Sequence, residues 1–527
     1  MKKILSKAAI FAATVKIVIL AVAFWACSSN NQMVIPDEVY KDLPFKMDKV
    51  EQPKFPNNEV SIVDFGAKSG GVDLNSDAFA KAIDAVVQKG GGKVVVPRGL
   101  WLTGPVVLKS NVNLHLEQGA VVLFSPNFDL YPIVETSFEG LDTYRCQSPL
   151  SAMNEVNIAV TGKGIIDGSG DAWRPVKKGK MTDRQWKELV NSGGALNAEE
   201  DIWYPSEKSL RGAGSMKNAS FNVPEGEMGN PKFRESIKDF LRPVLLSIIS
   251  CKNVWLDGVT FQNSPAWNIH PLMCENLTIS NLIVRNPWYS QNGDGLDVES
   301  CKNVVVYNSS FDVGDDAICI KSGKDEDGRK RAVPTENLIV DRCLVYHGHG
   351  GFVVGSEMSG GVKNIKVSNC TFLGTDVGLR FKSKRGRGGV VEDIWISNIN
   401  MMNIPAEPLL FDLFYGGMSA IEAKDAGADK DVSTQIFKVD ETTPQFRNIF
   451  IKDITCNGAG RAMYFNGLPE MNVENVTVDN VTMTSEDGAV ISESNGVKLT
   501  NINILPKKGA PIEVRRSKNV TLDGKAL

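Results

Sequence analysis

The sequence has no strong excess of one charge, no cysteine pair at metal-site spacing and no apolar run long enough to cross a membrane. Its 58 basic and 62 acidic side chains give a formal net charge of −4, which argues against a nucleic-acid binder because such proteins carry a broad basic face. None of the nine cysteines forms the C-x-x-C pair typical of zinc sites. The cysteines after Cys27 are therefore expected to be stacked buried thiols or disulfides.

The N-terminus has the features of an export signal. Four lysines, the last of them Lys16, precede a ten-residue apolar run from Ile17 to Ala26, which is too short for a permanent membrane helix. We expect residues 1–27 to be a lipoprotein signal peptide with lipid on Cys27, and an ordinary cleaved signal is the alternative. This predicts an exported lipoprotein of a Gram-negative bacterium, in the periplasm or at the outer membrane and cell surface.

Two further segments precede the repeats. Residues 28–58 are polar, contain proline and have no hydrophobic period, which predicts a tether. A strand, a helix and a second strand follow. Ser76 is the predicted N-cap of the helix and Gly90 its end. Because the ends of a repeat array must be covered, this helix is expected to cap an elongated domain over residues 59–527.

A short signature recurs through that domain: Asn or Asp, followed by alternating aliphatic residues. Neighbouring copies are often about 23 to 29 residues apart, which is a period of solenoids, and the alternation predicts short strands with one buried face. Leucine-rich repeats need Leu-rich positions and a helical return, and neither is present. The pattern predicts an all-β fold, a single right-handed parallel β-helix, with Asn side-chain ladders at its turns. The copies begin at Asn253, Asn276, Asn303, Asn337, Asn364, Asp393, Asn448, Asn475 and Asn519.

The repeat is interrupted twice. It disappears over about residues 170–242 and again over about 416–445, and such gaps in a repeat array predict loop insertions, often on the binding face. The first insertion is rich in aromatic residues, most of which we expect to form its own small core. Trp267, His270, Trp288 and Tyr289, in coils just after it, are expected either to line a groove or to stack in the core.

Four segments between residues 292 and 382 can be aligned by their apolar residues. The inward columns are predicted to be Leu296, Ile318, Phe352 and Leu379, and beside them Val298, Ile320, Val354 and Phe381. Strands of neighbouring coils lie about 4.8 Å apart, so polar residues from four coils are expected within about 15 Å, with Asp316 over Asp294. Since side chains alternate faces along a strand, Arg380 and Lys382 are expected on the solvent face. These polar residues are Asp294, Asp315, Asp316, His349, Arg380 and Lys382.

Three carboxylates this close cannot all ionise at their ordinary pKa, so one is kept protonated while the others act as bases. That is the acid and base pair of glycosidic bond hydrolysis, and in an inverting enzyme the two groups stand roughly 6.5–9.5 Å apart to admit a water. The two cations suit an anionic sugar because guanidinium binds carboxylate through paired hydrogen bonds. Each motif alone is more often a turn or a solvated face, and their shared register is what favours a site.

The same motifs resemble those of a known family. NGDGLD from Asn292, GDD from Gly314, GHG from Gly348 and RFK from Arg380 occur in the order of the four signatures of the polygalacturonases, glycoside hydrolase family 28. The stretches NSPAWNIHP and GKGIIDGSGDAW are similar to bacterial members. The resemblance implies inverting, metal-free hydrolysis of galacturonosyl linkages in pectin. One departure is Gly293, where fungal members tend to have Thr.

By that resemblance, each motif residue takes a role. Asp315 would be the general acid, Asp294 and Asp316 would activate water, and His349 would support the acid. The expected substrate contacts are Arg380, Lys382, Tyr415 and Asn292.

Several alternatives stay open at this stage. The substrate can be plain galacturonan, a rhamnogalacturonan or a decorated pectin. The first insertion is expected to block one end of the groove and so make the enzyme exo-acting. We expect a monomer that needs no cofactor. A Ca²⁺-dependent pectate lyase on the same scaffold would bind the ion through Asp residues and use Arg or Lys as base. A non-catalytic carbohydrate-binding solenoid is the third possibility.

Overall fold

The computed structural model describes residues 35–216, 221–417 and 435–527, and the chain divides into two compact units, residues 1–41 and 42–527. In the first unit a short 3-10 helix spans Asp37–Tyr40. The predicted signal peptide, including Cys27, lies outside the described residues. Among the residues that are described, no helix combines the length and apolarity needed to cross a membrane.

The second unit is a solenoid in which the earlier coils contribute three short strands each, whereas in the later coils two of these are joined into one long strand. Each strand pairs in parallel with the equivalent strands of the preceding and following coils; for example, Asp316–Lys321 lies between Leu296–Glu299 and Gly350–Val354. The prediction of a right-handed parallel β-helix is confirmed. Parallel pairing across coils explains the sequence period, because equivalent strands recur once per turn.

Strand and helix bounds follow the sequence signature. Up to the first insertion the strands are β1 Glu59–Ser61, β2 Gly92–Val96, β3 Gly99–Thr103, β4 Val106–Val107, β5 Val112–Leu116, β6 Ala120–Phe124, β7 Ile133–Phe138, β8 Leu141–Cys146, β9 Leu150–Met153, β10 Val156–Gly162 and β11 Ile165–Asp167. The insertion holds β12 Val176–Lys177, β13 Ala195–Leu196 and β14 Ile202–Tyr204. The helices are α1 Ser76–Gln88, α2 Asp183–Asn191, α3 Glu207–Ser215, α4 Pro231–Ser236 and α5 Asp325–Arg331.

The later coils run to the C-terminus. The strands between the two insertions are β15 Leu246–Ile249, β16 Lys252–Asp257, β17 Thr260–Gln262, β18 Ile269–Leu272, β19 Glu275–Ser280, β20 Ile283–Arg285, β21 Leu296–Glu299, β22 Lys302–Tyr307, β23 Ser310–Asp312, β24 Asp316–Lys321, β25 Thr335–Asp341, β26 Leu344–Val345, β27 Gly350–Val354, β28 Val362–Leu373, β29 Val377–Lys382, β30 Val390–Ile404 and β31 Leu409–Asp412. After the second they are β32 Gln445–Arg461, β33 Met463–Asn466, β34 Val473–Ser492, β35 Ser494–Asn495, β36 Lys498–Arg515, β37 Thr521–Leu522 and β38 Lys525–Ala526.

The core is a stack of aliphatic and aromatic side chains inside the coils. The predicted column Leu296, Ile318, Phe352 and Leu379 is paired in that register, and all four side chains are fully buried. Burying each such side chain contributes about 1.5–3 kcal/mol. Because one-residue slips would turn every side chain to the other face, this column fixes which polar residues point outward.

Helix α1 covers the N-terminal end of the stack, as predicted. Phe79, Ile83 and Val86 are buried in the same core cluster as the coils. The predicted N-cap was one residue off: the helix begins at Ser76, and the Ser76 hydroxyl accepts a hydrogen bond from the backbone N–H of Gly104 at 2.7 Å. Asn75 occupies the preceding position and binds the adjoining loop.

The predicted asparagine ladder is present at one turn of the coils. Asn276, Asn303 and Asn337 each donate from Nδ2 to Oδ1 of the asparagine one coil earlier, at 3.1 Å. All three have positive φ, between 57° and 60°, a conformation that Asn tolerates better than most residues. The signature Asn is therefore selected both for its backbone and for its side-chain amide.

Part of the predicted tether lies against the β-helix. Residues 42–58 carry neither a helix nor a strand, yet the Phe45 ring is 5.8 Å from the ring of Trp395 and Val50 is buried. The segment has no hydrophobic period because it contacts the coils through single residues and not through one continuous face.

The first insertion leaves the stack after Asp167 and returns at Leu246. It contains a small antiparallel sheet and helices α2 to α4, and Trp186 and Trp203 form its own core, as expected. Strand β11 nevertheless pairs directly with β17 across the gap. A hairpin of β7 and β8, which has no counterpart in the predicted repeat, precedes it.

The second insertion lies where the sequence predicts it. Strand β31 ends at Asp412 and β32 begins at Gln445, which agrees with the predicted interruption, although residues 418–434 lie outside the described part.

Every cysteine in the described residues is a buried free thiol. Cys251, Cys274 and Cys301 follow one another at one turn of successive coils, each sulfur accepting from a neighbouring backbone N–H or donating to a carbonyl.

Candidate active site

The outward-facing residues of strands β21, β24, β27 and β29 meet on one face of the solenoid. Because Leu296 pairs with Ile318, Asp294 lies one coil before Asp316, as predicted. One carboxylate oxygen from each of Asp294, Asp315 and Asp316 lies within 4.8 Å of the other two. The three acids are therefore neither scattered nor turned into the apolar interior.

Glycines make room for this cluster. A Cβ at Gly293 would lie 1.9 Å from the hydroxyl of Ser290, and a Cβ at Gly314 would lie 2.4 Å from the same oxygen. A Cβ at Gly350, the register partner of Asp316, would stand 3.4 Å from an Asp316 carboxylate oxygen. The departure at Gly293 thus has a local cause, since the turn at Ser290 fills the space that a larger residue would need.

Asp316 is a buried carboxylate held by two cations. Nζ of Lys382 donates to its Oδ2 at 2.6 Å, and Arg380 donates to its Oδ1 at 3.3 Å. Burial alone would raise the pKa of Asp316, but Lys382, Arg380 and Lys321 outweigh it and hold the pKa well below the usual value. Asp316 is therefore ionised throughout the neutral range and suited to act as a base.

Asp294 has the opposite electrostatic environment. It is buried, and its Oδ1 has no hydrogen-bond partner among the described residues. Burial and the neighbouring carboxylate of Asp315 raise its pKa well above the usual value. The site thus contains two stacked carboxylates with different proton affinities, an arrangement that can hold and deprotonate a water between them.

Asp315 and His349 form the outer part of the site. The side chain of Asp315 is 23% exposed, and its Oδ1 lies 3.2 Å from Nδ1 of His349. The same oxygen accepts the backbone N–H of Asp316 at 3.0 Å. The hydrogen bond to Asp315 raises the pKa of His349, so an imidazole that can hold a proton lies beside Asp315 at the rim, where a glycosidic oxygen can reach the pair.

One expectation about geometry needs correction. Arg380 and Lys382 do point away from the core, but they are not freely solvated: their side chains are only 19% and 7% exposed, since both are used to bind Asp316.

Tyr415 lies where the resemblance predicts it. Lys382 Nζ is 4.9 Å, and the Arg380 guanidinium carbon 5.8 Å, from the centre of its ring. The aromatic ring therefore flanks both cations and leaves the three residues as one surface for a charged sugar.

Asn292, predicted to contact substrate, is bound to the protein. Its side-chain oxygen accepts from Arg242, at the end of the first insertion, at 2.9 Å. Arg242 is buried and also donates to the carbonyls of Pro265 and Gln291. Asn292 thus fastens the insertion to the coil that carries Asp294, while it also lines the neighbouring cavity.

A second row of charges, not predicted from the sequence, lies beside the acids. Nζ of Lys321 is 3.1 Å from a Glu357 oxygen and 3.5 Å from Asp297, and it stands 4.7 Å over the ring of Trp267. Burial raises the pKa of Asp297. Lys321 also lowers the pKa of Asp316. The outward positions of Asp297 and Lys321 could have been predicted by the same alternation that located Arg380, because each of them stands next to an inward aliphatic residue.

A cavity of about 400 Å³, which we call the insertion-side cavity, opens next to Asp315 and His349. The insertion contributes Lys177, Lys180 and Phe221 to its wall. Trp288, which is 56% exposed, and Tyr289 also line it, whereas Trp267 and His270 are buried. Of the four aromatic and histidine residues considered from the sequence, two line the groove and two are packed.

The oxygen spacing of the three acids would also suit ligands of a divalent cation. Two cationic side chains already occupy Asp316, however, and provide the charge that an ion would otherwise supply there. The side chains of the site can themselves donate a proton, accept a proton from water and bind a carboxylate.

Comparison with known proteins agrees with this chemistry. Residues 232–489 match the family model described as Glycosyl hydrolases family 28. The chain is 28% identical to the exo-poly-alpha-D-galacturonosidase of Dickeya chrysanthemi over 89% of this chain and 75% of that protein. It is 26% identical to a probable polygalacturonase of Vitis vinifera, over 86% and 81%.

A solved structure is similar over most of its length. The hyperthermoactive exopolygalacturonase of Thermotoga maritima matches with a TM-score of 0.68 and 28% identity, covering 89% of this chain and 95% of that one. Residues 232–489, which match the family model, contain all four motif segments, and the acids, histidine and cations of those segments converge on one face. The chain is a glycoside hydrolase and belongs to glycosyl hydrolases family 28.

Proposed function

We propose that this protein hydrolyses galacturonosyl linkages in pectin, releasing sugars from the non-reducing chain end with inversion at the anomeric carbon. The observation that carries the proposal is the convergence of three carboxylates with Arg380 and Lys382. Acids alone would suit any glycoside, whereas cations two or three coils away suit a sugar that itself bears a carboxylate. The names of the relatives in Dickeya and Thermotoga support the same substrate and mode.

The chemistry follows from the two proton environments. Asp315, paired with His349 at 3.2 Å, donates a proton to the glycosidic oxygen as the bond from that oxygen to the anomeric carbon breaks. A water held by Asp294 and Asp316 attacks the same carbon from the opposite face and loses its proton to Asp316. Arg380, Lys382 and Tyr415 hold the sugar carboxylate beside the scissile bond.

Inversion is favoured by the cations on Asp316. A retaining mechanism would need a carboxylate to form a covalent bond to the sugar and so to lose its charge. Asp316 is held ionised by Lys382 at 2.6 Å and Arg380 at 3.3 Å, which makes its discharge unfavourable. Proton NMR during the first turnovers of an α-linked substrate should show the β-anomer first. An initial α-anomer would exclude inversion.

The exo mode is supported by the insertion-side cavity. Lys177 and Lys180 approach from the insertion, and Lys180 Nζ lies 4.7 Å over the Trp288 ring. Two lysines facing one carboxylate, Asp315, provide a cationic wall that suits the carboxylate of a terminal sugar. The insertion that builds this wall is attached to the coils by Arg242.

The mode is tested with oligogalacturonides labelled at the reducing end. An enzyme that works from the non-reducing end shortens the labelled chain stepwise, whereas random internal cuts would exclude the exo proposal. Substituting Lys177 and Lys180 together with Ala should raise KM at least tenfold. Lys187→Ala, an exposed lysine on the same insertion, is the matched control.

Substrate and reaction type are tested together by product analysis on a panel of plain, rhamnose-containing and branched pectic oligosaccharides. Hydrolysis gives a saturated product, whereas a lyase would give an ultraviolet-absorbing unsaturated one. Activity that survives chelator with a saturated product supports the hydrolase. Binding without any product would instead favour the non-catalytic solenoid.

We also propose that the protein is an exported lipoprotein anchored through Cys27. The support is the sequence alone: lysines, the apolar run from Ile17 to Ala26 and the adjoining cysteine. Metabolic labelling with a radioactive fatty acid should label the wild-type protein and not Cys27→Ala. Labelling of both would exclude the anchor, and protease treatment of intact cells would distinguish the outer face from the periplasm.

A further inference from the structure

A second cavity, of about 610 Å³, lies on the same face beyond the catalytic carboxylates. We call it the C-terminal cavity. It starts one coil from the substrate cations, because Leu410 is the register partner of Arg380 and Asp412 that of Lys382. It extends over three further strands to the coil of Glu513. Its walls are formed by Glu407, Leu410, Asp412, Arg461, Tyr464, Asp487, Gly488, Ala489, Val490, Lys508, Gly509, Ala510, Glu513 and Arg515.

The charges of this cavity nearly cancel, with one carboxylate in excess. Three cationic residues face four carboxylates, and both arginines are already paired: Arg515 binds Glu513 at 2.7 Å, and Arg461 lies 3.8 Å from Glu407. A uronate entering here would meet carboxylates as well as cations. In the insertion-side cavity, by contrast, two lysines face one carboxylate. The two ends of the groove therefore differ in the charge of the sugar they suit.

The remaining features of the cavity suit a ring that carries hydroxyl groups. Carboxylates accept hydrogen bonds from hydroxyls and guanidinium groups donate to them, so paired acids and arginines offer both partners to a neutral polyol. The Arg461 guanidinium lies 4.4 Å from the centre of the Tyr464 ring, which leaves a flat polar and aromatic wall. Gly488 allows the close approach of two strands at the base of the cavity, since a Cβ there would lie 1.9 Å from the carbonyl oxygen of Ala510.

We propose that the C-terminal cavity is a second carbohydrate-binding site, which holds a neutral sugar carried by the galacturonan on the side of the cut occupied by Arg380 and Lys382. This rests on the proposed function and narrows its substrate to a pectin with neutral-sugar branches. The acidic sugar at the cut is bound by the cations, and the branch occupies the C-terminal cavity one coil further along.

The test compares two oligogalacturonides of equal length, one plain and one carrying a single xylose on the residue next to the cut. The wild-type enzyme should cleave the branched oligomer with a kcat/KM about tenfold higher, which corresponds to about 1.4 kcal/mol of extra transition-state binding. Val490→Trp, which fills the cavity, should remove this preference and leave the plain oligomer within about twofold.

The matched control is Val107→Trp. Val107 lies in the same outward column at the other end of the stack, in register with Ser151 and, through it, Ser247. A second variant, Asp487→Ala, keeps the cavity open and removes an exposed acceptor, so a folding defect of the tryptophan variant does not decide the result. Equal cleavage of both oligomers by the wild type, or equal losses on both in the cavity variants, would overturn the proposal.

Binding separates this proposal from the proposed function. In the catalytically disabled variant Asp315→Asn, titration calorimetry should give about tenfold tighter binding of the xylose-bearing oligomer, and Val490→Trp should abolish the difference. If no galacturonan is cleaved but this difference persists, the hydrolase proposal fails and the second site stands. If a longer plain oligomer loses affinity through Val490→Trp, the occupant is acidic and the second site, as proposed, is wrong.

Discussion

Lys382 donates a 2.6 Å hydrogen bond to Asp316 from a strand two coils further along the solenoid. The strand between them contributes Gly350 at the register position of Asp316, and no side chain intervenes there. The base of the proposed reaction thus owes its charge to a cation more than sixty residues away in the chain.

Removing that cation should move the pH profile. In Lys382→Met the pKa of Asp316 rises, because its strongest cationic partner is lost. The acid limb of kcat/KM, below which Asp316 is protonated, should shift to higher pH. At neutral pH kcat/KM should fall about tenfold, the equivalent of about 1.4 kcal/mol of transition-state stabilisation, because the sugar carboxylate loses one of its cations. Lys384→Met, an exposed lysine two residues on, should change neither. An unmoved acid limb would mean that another group limits the rate.

Removing the imidazole should move the opposite limb. His349→Ala removes the imidazole whose pKa is raised by Asp315, so the alkaline limb of kcat/KM should no longer follow the loss of the imidazole proton. A general acid contributes about 10²–10⁴-fold, and we expect part of that loss at neutral pH. His347→Ala is the control, since His347 makes an exposed pair with Asp312 at 2.8 Å. Equal effects of both substitutions would contradict a role specific to His349.

Asp294 should be an unfavourable residue for stability. Its pKa is raised in the folded protein, so ionisation costs folding free energy above the pKa of the unfolded chain and costs nothing below it. Asp294→Asn should therefore abolish activity and stabilise the protein by about 1–3 kcal/mol at neutral pH. The gain in Tm should vanish as pH falls below about 4. A lower Tm of Asp294→Asn at pH 7 would show instead that contacts of the Asp294 carboxylate stabilise the folded protein.

The asparagine ladder should contribute stability in proportion to the bonds removed. Asn303 takes part in two side-chain bonds, one with Asn276 and one with Asn337. Asn303→Gly keeps the positive φ accessible and should cost about 1–3 kcal/mol. Asn303→Ala should cost about 1–2 kcal/mol more because of its backbone. Asn519, which donates one bond to Asn495, should cost about half as much on substitution with Gly. Thermal unfolding of the four proteins decides this, and equal Tm values for Gly and Ala variants would contradict it.

Much of the site could be predicted because register is a local property. The apolar columns through Leu296 and Leu379 fix the register of the coils, so the stacking of Asp316 over Asp294 follows from register, and the outward position of Arg380 follows from alternation. Contacts that depend on how insertions fold back could not be derived this way. The bond from Arg242 to Asn292 and the packing of Phe45 on Trp395 each join segments with no common period.

Lys321 is an intermediate case. Its outward position follows from the same alternation, but its pairing with Glu357 depends on a turn after strand β27. A lone lysine beside a buried strand gives no sign in the sequence that it will be enclosed by two acids. Burial, which raises the pKa of Asp294 and Asp297, is a property of the stacked coils together.

The direct pairing of β11 with β17, with an entire insertion looped out between them, has an evolutionary consequence. A segment that enters and leaves between two hydrogen-bonded neighbours can be exchanged or lengthened while the strands on either side keep their alignment. The enzyme can thus acquire a new preference for chain ends or branches by changing one excursion, with its proton-transfer groups left in place.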